Sequence, residues 1–301
     1  MNRKQYITTL AIFGVISIAL IVTNSILEFM DWVWLILLIS VGYFYVRYRI
    51  SAPMQTFSTK FNMMVDYDLD VEGALAMVKD YYDNAPNATV KALYQLYLGM
   101  AYYYNARYRE AINTFNQVDL NKVNPVYHVL IFAFTAYAAN EEGDDETFNI
   151  ALERIEEVKN RVGKRYINFA LNYIEILQAI KNLELNPENY LEVIEKNFSR
   201  NDGYVSTRLI YNYRKALYYK TIGNVEEMDK CLAAVIANGK NHHTAVQAKI
   251  LFQNTCNIED YVFTYGEPEP QDVEVVEDPL QIETMEDIEV VEEEPSDKDK
   301  E

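Results

Sequence analysis

The sequence predicts an all-α protein in three parts: a two-helix transmembrane hairpin over 1–50, an α-solenoid of stacked helical hairpins over 51–265, and a disordered acidic tail over 266–301. Three observations carry this reading. Two uncharged apolar runs lie within the first fifty residues. Through the middle of the chain, apolar residues recur at helical spacing in blocks separated by Asn, Gly and Pro. The last 36 residues hold 16 acidic side chains, two lysines and no aromatic residue.

The first run, Tyr6 to Thr23, carries no charge over 18 residues, close to the length needed to cross the hydrocarbon core. The second runs from Trp32 to Val46. Lipid offers no partner to open backbone groups, so both should be helical, and the short link Asn24–Asp31 makes them a hairpin. Arg3 and Lys4 precede the first run, Arg47 and Arg49 follow the second, and the link holds Glu28 and Asp31 but no cation. The positive-inside rule then places both termini and the repeat domain in the cytoplasm, with the chain a multi-pass protein of the plasma membrane. A cleaved signal peptide fits less well, because no small-x-small site follows and a second apolar run comes directly after.

Self-similarity is clearest over Ala92–Pro125. Leu98 and Gly99 begin a marker set that continues with Tyr102, Ala106, Tyr108, Ala111, Phe115 and Val118, closing at Pro125. Small residues at fixed points let two helices approach; aromatics fill the gap to the next pair. This spacing resembles the tetratricopeptide (TPR) family, with about seven marker positions agreeing over one 34-residue period. The resemblance implies a TPR-like α-solenoid, with Leu98, Gly99, Tyr102, Tyr108, Ala111 and Phe115 as packing residues of one repeat. A weaker echo over Leu209–Asn241 places Ala216, Tyr219 and Gly223 at corresponding points. Val129–Val158 is weaker still. Gln55–Pro86 keeps only a second-helix half, and Arg165–Phe198 reads as two helices broken at Asn186-Pro187. Four or five pairs result, with a terminal helix near Thr244–Cys256 as an end cap. A lone hairpin cannot bury both faces, so neighbours supply the missing core. Most of the 25 tyrosines should pack between repeats.

The formal net charge is −18, but the 265 residues before the tail are nearly balanced, with 25 basic and 29 acidic side chains. No cluster of Lys and Arg suits phosphate neutralisation, so nucleic acid is not an expected partner. Two cysteines without a CxxC read as reduced thiols. In the tail, Val275, Leu280, Ile282 and Ile288 are threaded among acids, a pattern that can order on a partner. No phosphate-cradling glycine loop, HExxH or GxSxG occurs. His242 and His243 are adjacent and should point apart on a helix; His128 sits in an apolar helix start. The chain is therefore expected to be no enzyme and to need no cofactor, metal or small-molecule substrate.

The expected function is a membrane-tethered scaffold that binds other proteins through the repeat groove or the acidic tail. The alternative is a chaperone or accessory of a secretion translocase, holding client segments in that groove. The layout also resembles membrane-anchored TPR proteins of Gram-positive bacteria, including staphylococcal cell-morphology and division determinants. That resemblance implies septum placement or envelope assembly, and carries over no functional residue. Deleting 266–301 is expected to leave helix content intact, since the tail has little apolar surface to offset its ordering entropy; large helix loss by circular dichroism would contradict this.

Overall fold

The computed structural model describes residues 3–28, 30–198 and 204–263. Among them, every regular element is a helix. The tail residues Val275, Leu280, Ile282 and Ile288 lie outside the described residues.

The first two helices, α1 (Arg3–Leu27) and α2 (Trp32–Asn62), form a hairpin. Asn24 stabilises the link by accepting the Met30 N–H at 2.9 Å, and Asp31 caps α2 by accepting the Val33 N–H at 2.8 Å. Gly42 gives the Phe13 ring its seat: a Cβ there would lie 2.8 Å from the ring. Among the described residues, no helix is long and apolar enough to cross a membrane. The contiguous side chains described in α1 are those of 11–27, and in the apolar part of α2 those of 32–46. The sequence expected two membrane spans; the structure carries the helical hairpin.

The chain does not break at residue 50. Helix α2 has 31 residues, and its far end belongs to the repeat domain. Phe57 and Phe61 are fully buried there. The Phe57 ring lies 4.7 Å from Tyr94 and 5.0 Å from Tyr97, and Phe61 lies 5.1 Å from Tyr97. The first pair, for which the sequence offered only a second helix, therefore takes its first helix from α2. A π-helical turn (Met63–Tyr67) leads to its second, α3 (Val71–Asp83).

Four more pairs follow: α4 (Ala88–Tyr104) with α5 (Tyr108–Asn116), α6 (Pro125–Glu142) with α7 (Asp145–Val158), α8 (Ile167–Lys181) with α9 (Pro187–Phe198), and α10 (Val205–Thr221) with α11 (Val225–Asn238). Asp or Asn begins most of them. Asp70, Asn87, Asn124, Asp144 and Asn224 each accept a backbone N–H from the first turn of the helix that follows, satisfying a donor that has no partner within the helix. Pro125 does not close a repeat; it is the first residue of α6, where its missing N–H costs nothing. Gly143 ends α6 in the left-handed region at φ 71°, and Gly223 follows α10 at φ 76°, conformations that favour glycine.

One apolar core runs from Phe57 to Ile194, with Tyr218 at its edge. A second, smaller core joins Leu69 to Val205, Leu209, Tyr213, Ala216, Met228, Leu232 and Val235, and to Ala245 and Ala248 of the last helix, α12 (His243–Leu251). The stack curls until its ends meet. Ser206 donates to Asp66 at 2.7 Å, Lys240 donates to the Asp68 carbonyl, and the Tyr67 and Tyr204 rings lie 4.9 Å apart. The sequence placed the terminal helix at the end of the stack. Instead α12 turns inward, and small residues let it: Thr244, Ala245 and Ala248 are fully buried.

One close approach within a pair is at Gly99 of α4, where an added Cβ would sit 2.4 Å from the Phe115 ring of α5. Gly99→Leu is expected to lower stability by about 1–3 kcal/mol or more, because Phe115 is buried and cannot retreat into solvent. A thermal melt of the full chain in detergent checks this; an unchanged midpoint would remove the close approach from the account.

Candidate functional site

Between the two apolar cores lies a seam of buried polar groups. Helix α4 brings Tyr103 and Tyr104, α5 begins with Tyr108, α6 brings Tyr137 and Glu141, α10 brings Tyr213 and Arg214, and His242 and His243 open α12. The His243 ring centroid is 4.3 Å from that of Tyr103 and 6.4 Å from that of Tyr108. His242 lies 5.5 Å from Tyr104 and 4.5 Å from His243. Gln247 of α12 donates to the Tyr108 hydroxyl at 3.2 Å. Tyr213 donates to Glu141 Oε2 at 3.0 Å, and the Tyr190 hydroxyl donates to the Arg214 carbonyl at 3.1 Å.

Both histidines face inward because His242 is not helical. It is the N-cap of α12, with extended backbone at φ −59° and ψ 144°. Its Nδ1 lies 2.8 Å from the Thr244 hydroxyl. The expectation that adjacent side chains diverge holds only when both residues lie in the helix.

The electrostatics follow from burial. Desolvation raises the Glu141 carboxyl above its ordinary range, against the opposing pull of Arg214 and the Tyr213 hydroxyl. Desolvation alone would lower Arg214, yet Tyr190, Glu141 and the surrounding tyrosines hold it above its usual value. Its guanidinium lies 5.5 Å from the centre of the Tyr137 ring, a cation–π contact in a desolvated setting. Burial pushes His242 down to about 3. His243 is pushed well below its ordinary value by burial, then by His242 and Arg214. Among the described residues, Glu141 Oε1, one Arg214 Nη, His242 Nε2 and both His243 ring nitrogens have no hydrogen-bond partner. A buried polar group left so costs about 1–3 kcal/mol, so the seam is a weak joint between two well-packed bodies.

The chain matches no known family model, no curated protein and no solved structure. Its function has to be argued from its own geometry.

The packing residues marked by the sequence divide into groups. Leu98, Gly99, Ala111 and Phe115 are all buried, and Gly99 meets Phe115 where α4 crosses α5. Tyr108 is buried in the seam. Tyr102 is half-buried on another face, with the Arg107 guanidinium 4.7 Å and the Lys79 ammonium 5.3 Å from its ring centre. Ala216 is buried in the smaller core, Tyr219 is half-buried and packs on both cores, and Gly223 makes the turn after α10.

Sequence reasoning did not find Glu141 and Arg214. One signal was available: an arginine amid Tyr211, Tyr213, Tyr218 and Tyr219, on a helix whose neighbours are apolar and aromatic. Among the described residues, no three His, Cys, Asp or Glu side chains converge as a metal site. A shallow, open recess at the start of α9, lined by Asn186, Glu188, Asn189, Leu191, Glu192 and Glu195, shares no residue with the seam and gathers no basic or nucleophilic group.

Tyr213→Phe removes the one hydrogen bond found for the Glu141 carboxyl and is expected to cost about 1–3 kcal/mol in chemical denaturation. The same substitution made in a Glu141→Leu background should cost clearly less, because no carboxyl is left without a donor. Equal costs in the two backgrounds would mean the pair is not coupled.

Proposed function

We propose that this chain is a membrane-tethered protein-interaction scaffold, in which a lipid-embedded hairpin holds a TPR-like helical domain and its acidic tail at the bilayer surface. One observation carries the reading: the outward faces of α1 and of the first half of α2 are apolar almost without interruption. Ile18 is 63 % exposed, Ile26 73 %, Val33 69 %, Ile36 63 % and Phe44 66 %. Water does not tolerate a contiguous apolar surface of this kind on a lone hairpin, and lipid does. The stretch 11–27 of α1 is about 26 Å long at 1.5 Å per residue, a little short of a hydrocarbon core of about 30 Å, so the reading rests on the apolar surface and not on length.

The scaffold reading also draws on the helical domain. The close approach at Gly99 and the sequential stacking of pairs support the repeat resemblance. The acidic tail, with Val275, Leu280, Ile282 and Ile288 among its carboxylates, is then the candidate partner-binding segment. Tethering raises the effective concentration of a recruited partner near the surface without any new contact. The resemblance in layout points to division or envelope assembly as the process served.

Membrane fractionation tests the anchor. The full chain should stay with membranes through an alkaline carbonate wash. An Ile16→Arg/Ile18→Arg variant should move to the soluble fraction, since each charge near a helix centre costs about 2.5–3.5 kcal/mol on insertion. Protease added outside intact cells should leave the helical domain uncut. Wild-type protein in the carbonate supernatant would overturn the anchor, and external cleavage of the domain would overturn its sidedness.

A further inference from the structure

We propose that the C-terminal unit, residues 205–263, is a latch: it closes the helical stack across the Glu141–Arg214–His243 seam and comes away when His242 and His243 take up protons.

The unit is built to move as one body. It has its own apolar core, from Val205 and Leu209 of α10 to Ala245 and Ala248 of α12. Its end is tied back on itself: Asp229 accepts the backbone N–H groups of Gln253 at 2.9 Å and Thr255 at 2.7 Å, and Asn238 bonds the backbone of Tyr261 and Phe263. Its attachments to the far end of the stack are of another kind. They are three single polar contacts, Ser206 to Asp66, Lys240 to the Asp68 carbonyl and Asn241 to Glu72 at 3.5 Å, the Tyr67–Tyr204 ring contact, and one apolar side chain, Leu69, which reaches into the unit's core. Lys240 sits in the turn before α12 at φ 46°, a left-handed conformation that costs a side-chain-bearing residue roughly 1–2 kcal/mol. Opening would separate these contacts, draw Leu69 out of the smaller core and hydrate the polar groups of the seam, while the rest of that core stays shut and Tyr218 keeps α10 seated on the larger one.

Two histidines in such a joint make it sensitive to acid. The groups facing them are Tyr103 and Tyr104 of α4, Tyr108 of α5 and Arg214 of α10; Glu141 of α6 lies further off, bonded to Tyr213, and Asp66, Asp68 and Glu72 belong to the polar contacts of Ser206, Lys240 and Asn241. An imidazolium at His243 would be buried beside a guanidinium that is itself charged. Both histidines titrate far below 6.5 in the closed form and return to about 6.5 when exposed. The closed form therefore binds fewer protons than the open form over that window. Its stability is complete above about pH 6.5 and declines as the pH falls below it. Glu141 acts in the opposite sense. Its carboxyl is raised in the closed form, so it takes up a proton there more readily and offsets part of the loss at the lower end of the window. Arg214 stays charged and the tyrosines stay neutral throughout.

Hydrogen–deuterium exchange on the full chain in detergent, at pH 7.5 and 5.5 and corrected for intrinsic rates, is the test. Two protons linked to opening should accelerate exchange in segments 240–251 and 63–72 by roughly tenfold to a hundredfold, the lower figure allowing for Glu141. Segment 125–158 should not change. Unaltered exchange in the first two segments, or equal acceleration in all three, would overturn the latch. An H242N/H243F variant keeps a capping side chain at 242 and should lose most of the pH response. The single H243F, which leaves the native cap, should lose about half of it on a logarithmic scale. A full response in either variant would remove the histidines from the mechanism.

Discussion

A guanidinium enclosed by tyrosines is the interaction on which the arrangement of the helical domain depends. Arg214 reaches from α10 to the Tyr137 face on α6, its own carbonyl takes the Tyr190 hydroxyl of α9, and Glu141 balances its charge from nearby without touching it. A buried cation is costly unless its surroundings replace what water supplied. Here aromatic faces and one displaced carboxylate do so, which gives the last pair a preferred orientation against the others while the seam is closed. An apolar contact would tolerate sliding; a charge with a single suitable pocket does not.

Much of the helical pattern was legible in the sequence because it rests on local chemistry. Asn and Asp before apolar runs, Pro at helix starts and Gly at helix ends announce boundaries through backbone groups that need partners. Asn186-Pro187 marked the start of α9, and Gly99 with Phe115 marked one close helix crossing. The first helix of the first pair was hidden because it is the continuation of an apolar run that looked complete in itself. The seam was hidden for a different reason. Glu141, Arg214 and His243 are 73 and 29 positions apart along the chain, and only the curvature of the stack joins them. Periodicity within a window reports which face of a helix is buried, but says nothing about what meets it from a distant repeat. The pairing of the histidines was missed through a local detail, the extended backbone of an N-cap residue.

The molecule combines surfaces with opposite requirements. The hairpin exposes a run of aliphatic side chains, and the domain interior buries charge that a closed shape shelters. Neither is stable without its own boundary, and α2 belongs to both.

That shared helix fixes an angle as well as a distance. Each residue of an α-helix advances the direction of its side chains by about 100°. Phe57 and Phe61 therefore stand at a set rotational phase relative to Trp32 and Phe44 on the same rod. With those rings wedged among Tyr94 and Tyr97, any roll of the hairpin about its axis becomes an equal roll of the domain. Adding or removing one residue between them would swing the domain about a quarter-turn around α2, leaving every fold contact intact while presenting a different side.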